Sequence, residues 1–304
     1  MQLFIEQSLN ALQMSFTLFL LATGLTLIFG IMGLINLAHG SLYMVGAFVG
    51  TTVALKSGSF LLGVGGGIVG GALAGVVLEL AVFRRLYAQD HLHQVLATFG
   101  IILFANEATT LLWGRAPLLV EVPGWLNGSV KLMDGLSYPV YRLAVMAVGA
   151  AVAVGLHLLV VHTRLGMLIR AGASDRAMVA ALGVDVSKLY TVVFALGAGL
   201  AGLAGILAAP IQSTQIGMGE QILILTFVVV VVGGVGSIKG AFAGAVLIAF
   251  VDTLGRAYVP GLFKLVLSST VADALGTSVA SVAIYLVMAI VLIVRPEGLI
   301  PEAR

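Results

Sequence analysis

The 304-residue sequence contains no cysteine, and that absence removes disulfide bridges, thiol nucleophiles and thiolate metal sites together. Charge is nearly as scarce. Asp, Glu, Lys and Arg make up 9% of the residues, where soluble domains carry about a quarter. With 60% of the residues hydrophobic, the polar surface is too small to cover a soluble globule, so a lipid bilayer is the solvent for most of the chain. The net charge of +2 comes from scattered bases with no cluster, which argues against a nucleic-acid partner. No Lys or Arg precedes the first apolar run in MQLFIEQSLN, so a cleaved secretory signal is not expected and the first segment stays.

What the sequence has in abundance is apolar runs. A helix needs about 20 such residues to cross the hydrocarbon core, and runs at 8–31, 40–55, 60–83, 94–113, 141–161, 189–209, 221–234, 240–256 and 279–294 are candidates. They predict an all-α polytopic membrane protein with eight or nine spans, read as a single domain over 1–304. The pieces flanking 36–40 and 233–240 are short and Gly-interrupted, which is how unwound membrane helices near a binding site appear in sequence. At an offset of 200, Gly33 matches Gly233 and Gly40 matches Gly240, the pattern expected if the two halves are repeats.

Bases set the expected orientation. Arg84, Arg85, Arg164, Arg170, Arg176, Lys188, Lys239, Arg295 and Arg304 fall on one side by alternation, which the positive-inside rule makes cytoplasmic. The C-terminus is then cytoplasmic and the N-terminus external. Residues 113–139 are polar and turn-rich and read as an external loop capped by Trp113 and Trp125 at the interface. Residues 259–277 read as too polar to span and suited to lie in the interface as an amphipathic helix.

Signs of catalysis are missing. Ser41 follows His39 without a second His in a neighbouring span except His157, and Asp252 has no Asp partner in its run. The H-x-H of His91 and His93 has no Cys or carboxylate at ligand spacing. GGVGSIKG, at 233–240, departs from a phosphate loop because Lys239 precedes its Gly and no Ser or Thr follows. No catalytic residue, metal site or ATP site is therefore nominated, and the chain is expected to bind no cofactor of its own.

Ionisable residues within apolar runs are functional candidates by default. Glu79 lies near Arg84, for a paired or snorkelling role, and Asp252 lies four residues before Arg256, the spacing of a local ion pair. Asn106 and Glu107 sit deeper, where they either line a polar cavity or, for Glu107, pair with a base at a helix interface. The loop 163–188, TRLGMLIRAGASDRAMVAALGVDVSK, opens with a basic turn. Ser174 or Asp175 then caps a short helix ending at Gly183. That helix is expected to expose Met178, Val179 and Leu182 for a groove on a partner, the alternative being a helix lying on the membrane.

GLTLIFGIMGLINLAHGSLYMVGA, the 163–188 loop, GLAGLAGIL, GGVGSIKGAFAGA and the tail RPEGLI, in this order over nearly the whole chain, resemble the membrane permease of branched-chain amino acid ABC importers. Urea and sugar permeases belong to the same superfamily. The resemblance implies alternating-access import driven by partners: a second, related permease, two cytoplasmic ATP-binding subunits that bind and hydrolyse ATP, and an external solute-binding protein. It implies a bacterial cytoplasmic membrane location. It implies a coupling role for Arg170, Ala173, Ser174, Asp175, Arg176, Ala181 and Gly183, and a place on the substrate path for Asn36, His39, Gly40, Gly234, Gly236 and Gly240. Urea or a short amide is the alternative cargo; a stand-alone secondary transporter would have no use for the exposed loop helix. Leu37 stands where the family more often has Phe, and Glu107 lies in a span that is commonly less acidic.

Overall fold

The computed structural model describes residues 1–34, 36–87 and 89–301; Arg304, grouped above with the cytoplasmic bases, lies outside them. In chain order come α1 (Gln2–Met32), α2 (His39–Ser57) and α3 (Phe60–Leu78), which continues through a π-helical turn (Glu79–Phe83) into α4 (Arg84–Leu86). Next are α5 (His91–Trp113), strands β1 (Ser129–Met133) and β2 (Leu136–Pro139), α6 (Val140–His162), α7 (Arg164–Ser174) and α8 (Arg176–Ala181). Then follow α9 (Val186–Gln212), α10 (Met218–Gly233), α11 (Ile238–Phe263) and α12 (Ser269–Val294). Among the described residues seven stretches are long and apolar enough to cross a membrane, namely α1, α3 with α4, α5, α6, α9, α11 and α12, while α10 is a shorter apolar helix. The protein is all-α and polytopic.

The described residues divide into two compact units, one of residues 20–123 and 151–224, the other of 1–19, 124–150 and 225–301. In the first unit the glycines of α3 recur every fourth residue, Gly63, Gly67, Gly71 and Gly75, and form its buried face, because a four-residue step returns to nearly the same side of a helix. They let α9 approach to backbone contact: a Cβ at Gly71 would stand 2.6 Å from the Ala198 carbonyl oxygen, and one at Gly75 would stand 2.4 Å from the Ala198 Cβ. Without a hydrophobic drive between helices in lipid, such close packing is what holds them together.

The second unit is organised by different means. Phe242 on α11 packs against Phe16 and Phe19 of α1, with ring centroids 6.0 and 5.3 Å apart. Asp252, buried, accepts from Arg256 Nε at 2.6 Å, the local ion pair expected from their spacing. The polar stretch 113–139 contains the β1–β2 hairpin, a feature that its turn residues left unspecified.

Two readings of the sequence require correction. Residues 259–277 form no separate interfacial helix. α11 runs through Pro260 to Phe263 and α12 begins at Ser269, and Lys264 and Asp273, which gave the stretch its polar look, neutralise each other at 2.8 Å across the turn. Nor does the loop open with a turn at TRLG, 163–166, because α7 runs from Arg164 to Ser174. Thr163 caps α7 by accepting from the Gly166 N–H at 3.1 Å, so its hydroxyl starts a helix where the basic residues had suggested a bend.

Candidate functional site

α1 ends at Gly33, whose φ of 63° carries the backbone into the left-handed region that glycine enters at no steric cost. The chain resumes as α2 at His39. Between them Asn36 is 1% exposed, yet neither its Oδ1 nor its Nδ2 has a hydrogen-bond partner among the described residues. His39 is 0% exposed. Its Nε2–H donates to the Leu21 carbonyl at 3.2 Å, which assigns the tautomer and leaves Nδ1 as an unpaired acceptor. The buried hydroxyls of Thr23 and Thr26 on α1 are also unpaired. Buried polar groups are nearly always satisfied, and these four residues of α1 and the break that follows it hold polar atoms that no described residue satisfies.

Gly40 does something other than unwind. It lies in the first turn of α2, where a Cβ would stand 2.3 Å from the Gly219 carbonyl oxygen. Its missing side chain lets the starts of α2 and α10 touch backbone to backbone.

The next residue on α10 is one that the sequence did not single out. Glu220 accepts from Asn106 Nδ2 of α5 at 2.5 Å through Oε1. Its Oε2 and the Asn106 Oδ1 are buried without partners. The pair thus presents two acceptor oxygens without partners among the described residues, one from a carboxylate, beside the second N–H of the Asn106 amide. Glu107, named with Asn106 from the sequence, is on the exposed side of α5, because adjacent helix positions lie about 100° apart. The structure brings Asn106 into a polar pair and leaves Glu107 out of it. Glu220 was missed because the pairing spans 114 residues of sequence; the one signal was an acid opening a short apolar helix.

The second break, between α10 and α11, carries Gly234 at φ 111° and Gly236 at φ 90°. Ser237 caps α11, accepting from the Gly240 N–H at 3.0 Å. Gly240, like Gly40, is helical and close-packed: a Cβ there would stand 2.2 Å from the Gly233 oxygen. The carbonyls of Val232 and Gly233, orphaned by the end of α10, accept from the N–H groups of Leu299 at 2.8 Å and Ile300 at 3.0 Å. The RPEGLI tail therefore stitches this break shut.

In the loop between α6 and α9, Asp175 caps α8 by accepting from the Ala177 and Met178 N–H groups, each at 2.9 Å, and Gly183 closes the loop at φ 85°. Ser174, Asp175, Arg176, Ala181 and Gly183 are exposed and Ala173 is partly so. Arg170, also exposed, donates to the Val160 carbonyl. Met178 and Leu182 are exposed at 58% and 76%, but Val179 is buried at 4%. The last corrects the expected apolar face: Val179 is the anchor of the helix, and two residues, Met178 and Leu182, remain on offer. Asp185 caps α9, and hydrogen bonds from the Lys188 backbone and side chain hold its carboxyl below the usual carboxylate range.

A family described as "Branched-chain amino acid transport system / permease component" matches residues 7–294. The chain is 28% identical to the high-affinity branched-chain amino acid transport system permease protein BraD of Pseudomonas aeruginosa over 316 residues, covering 99% of this chain and 97% of the relative. It is 26% identical to the corresponding permease protein LivH of Escherichia coli K12 over 325 residues, with the same coverage. The ribose import permease protein RbsC of Escherichia coli K12 is 28% identical over 262 residues, 82% of this chain and 77% of that one. No solved structure matches.

Proposed function

The chain belongs to the branched-chain amino acid permease family, and from that premise we propose that it is the membrane subunit of an ATP-driven importer that carries branched-chain amino acids inward. It works with a second, related permease, two cytoplasmic ATP-binding subunits and an extracytoplasmic solute-binding protein. It performs no chemistry on its cargo and binds no cofactor itself. Its place is the bacterial cytoplasmic membrane, with the C-terminus cytoplasmic.

The observation that carries the substrate path is the set of buried polar atoms without protein partners at Asn36, His39, Asn106 and Glu220. An amino acid has a charge of each sign and an apolar side chain. The free oxygens of Glu220 and Asn106 suit its ammonium group, since a carboxylate favours a cation over a neutral amide. Asn36 Nδ2, a free donor, suits its carboxylate. Gly40 supports the path by close packing; Gly234, Gly236 and Gly240 belong to the other compact unit and are proposed for the path on the family resemblance alone. Glu107 has less support, being on the exposed side of α5. The exposed Met178 and Leu182 of α8 support docking of the loop on an ATPase, whose movement tilts the attached spans and alternates access to the path. Arg170, Ala173, Ser174, Asp175, Arg176, Ala181 and Gly183 shape that docking element.

The test is reconstitution of the full complex in vesicles. ATP-dependent uptake of leucine, isoleucine and valine is expected, and Glu220→Gln lowers it about tenfold, the equivalent of one charge-assisted hydrogen bond. Urea uptake in place of amino acids would overturn the cargo, and gradient-driven uptake by this chain alone would overturn the importer. Ala181→Glu should leave the protein folded and uncouple ATP hydrolysis from uptake. Normal transport by that variant would remove the docking reading.

A further inference from the structure

We propose that Glu79 is a positioning residue for transport: it latches α3 to α9 so that the two helices move as one body when the 163–188 loop is pushed. Its side chain is 0% exposed. Oε1 accepts from Arg84 Nε at 3.1 Å and from the Tyr87 hydroxyl at 3.3 Å. Oε2 accepts from the Thr191 hydroxyl of α9 at 2.8 Å, and Arg84 Nη2 donates to the same Thr191 oxygen at 3.0 Å. One carboxylate thus gathers donors from both helices into a closed ring.

The π turn makes this possible. In an α-helix, residues five apart point about 140° away from each other, and Arg84 would face away from Glu79. The π turn closes on i to i+5 bonds, and here the Arg84 N–H bonds the Glu79 carbonyl. The same step swings the guanidinium over the carboxylate. π turns are rare and concentrate at functional positions. A fully buried carboxylate is costly unless its partners are fixed, so sliding α9 along α3 strips the charge-assisted Thr191 bond from a group buried away from solvent.

The latch lies where force enters. α9 begins at Val186, directly after the loop that carries α8, and Thr191 is in its second turn. Beyond the latch the same two helices stay in contact through Phe83 and Phe194, with ring centroids 4.9 Å apart, and then through Gly75 and Gly71 against Ala198. The direction of the force rests on the ATPase-docking reading of the loop; the joint movement of α3 and α9 does not.

A chain without cysteine allows a clean test. A Cβ at Gly199 stands 3.7 Å from the Ala72 Cβ, close to the mean separation of a disulfide, about 3.8 Å. In the reconstituted complex, Ala72→Cys with Gly199→Cys should keep its uptake when oxidised, because the bond joins parts that already travel together. Glu79→Ala should assemble and hydrolyse ATP while uptake per ATP falls about tenfold, and oxidising the cysteine pair in that background should restore it. Thr191→Val, which keeps the charge pair and removes the α9 donor, should lower uptake per ATP by a smaller factor, and it serves if Glu79→Ala does not fold. Uptake lost on oxidation and regained on reduction, uptake per ATP unchanged in both Glu79→Ala and Thr191→Val, or no rescue by the crosslink would overturn the proposal. If Ala181→Glu transports normally while the crosslink behaves as expected, the docking site is elsewhere and the joint movement stands.

Discussion

The two helix breaks are built alike and finished differently. Each has a glycine at positive φ, Gly33 in one and Gly234 in the other, and each is followed by a helix whose first turn carries a glycine in backbone contact, Gly40 and Gly240. At the second break the free carbonyls are bonded by Leu299 and Ile300. At the first, Asn36 and His39 keep buried atoms without partners. Leaving such groups unpaired costs about 1–3 kcal/mol each, a cost that a polar ligand at the first break would offset. Of the two breaks that sequence reading treated as equivalent, the first is the better supported as substrate path.

The largest effect should be one that the breaks share. Gly40→Leu and Gly240→Leu each drive a side chain into a carbonyl oxygen, at 2.3 and 2.2 Å from the Cβ, and should cost about 3 kcal/mol or more, seen as loss of folded protein in detergent by size-exclusion chromatography. If either variant folds normally, the close contact at that break is not required. Asn36→Leu should next separate the breaks by sign. Removing an unpaired amide relieves a penalty of about 1–3 kcal/mol and raises the melting temperature, while uptake falls severely. A variant that melts lower would show that Asn36 is structural. The smallest effect belongs to the second break. Leu299→Pro removes the donor to Val232, with an expected cost of about 1 kcal/mol, and uptake per folded molecule should stay unchanged. A fall in that ratio would make both breaks functional.

Much of the fold was legible because lipid imposes simple rules on sequence. All nine apolar runs became helices, and the Asp252–Arg256 pair follows from its four-residue spacing, whereas the Glu79–Arg84 pair, near in sequence, depends on the π turn. The α8 helix was legible as well, since Asp175 and Gly183 signal its ends by local chemistry. What was not legible depended on distant partners. Nothing near Glu220 in sequence points to Asn106, and Thr191 gives no sign that it will close on Glu79. The burial of Val179 beside the exposed Met178 and Leu182 likewise depends on what the loop packs against. The neutral ends of 259–277 escaped notice because Lys264 and Asp273 cancel only when the turn brings them together.

The tail that closes the second break also sets an order of events. The carbonyls of Val232 and Gly233 are made before α11 and α12, whereas their donors, Leu299 and Ile300, come after both. During synthesis those two carbonyls wait for these donors through the making of two further helices. This joint therefore closes only after α12 has been made. A chain halted within α12 has neither Leu299 nor Ile300, so the carbonyls of Val232 and Gly233 lack these donors and the joint at Gly234 stays open.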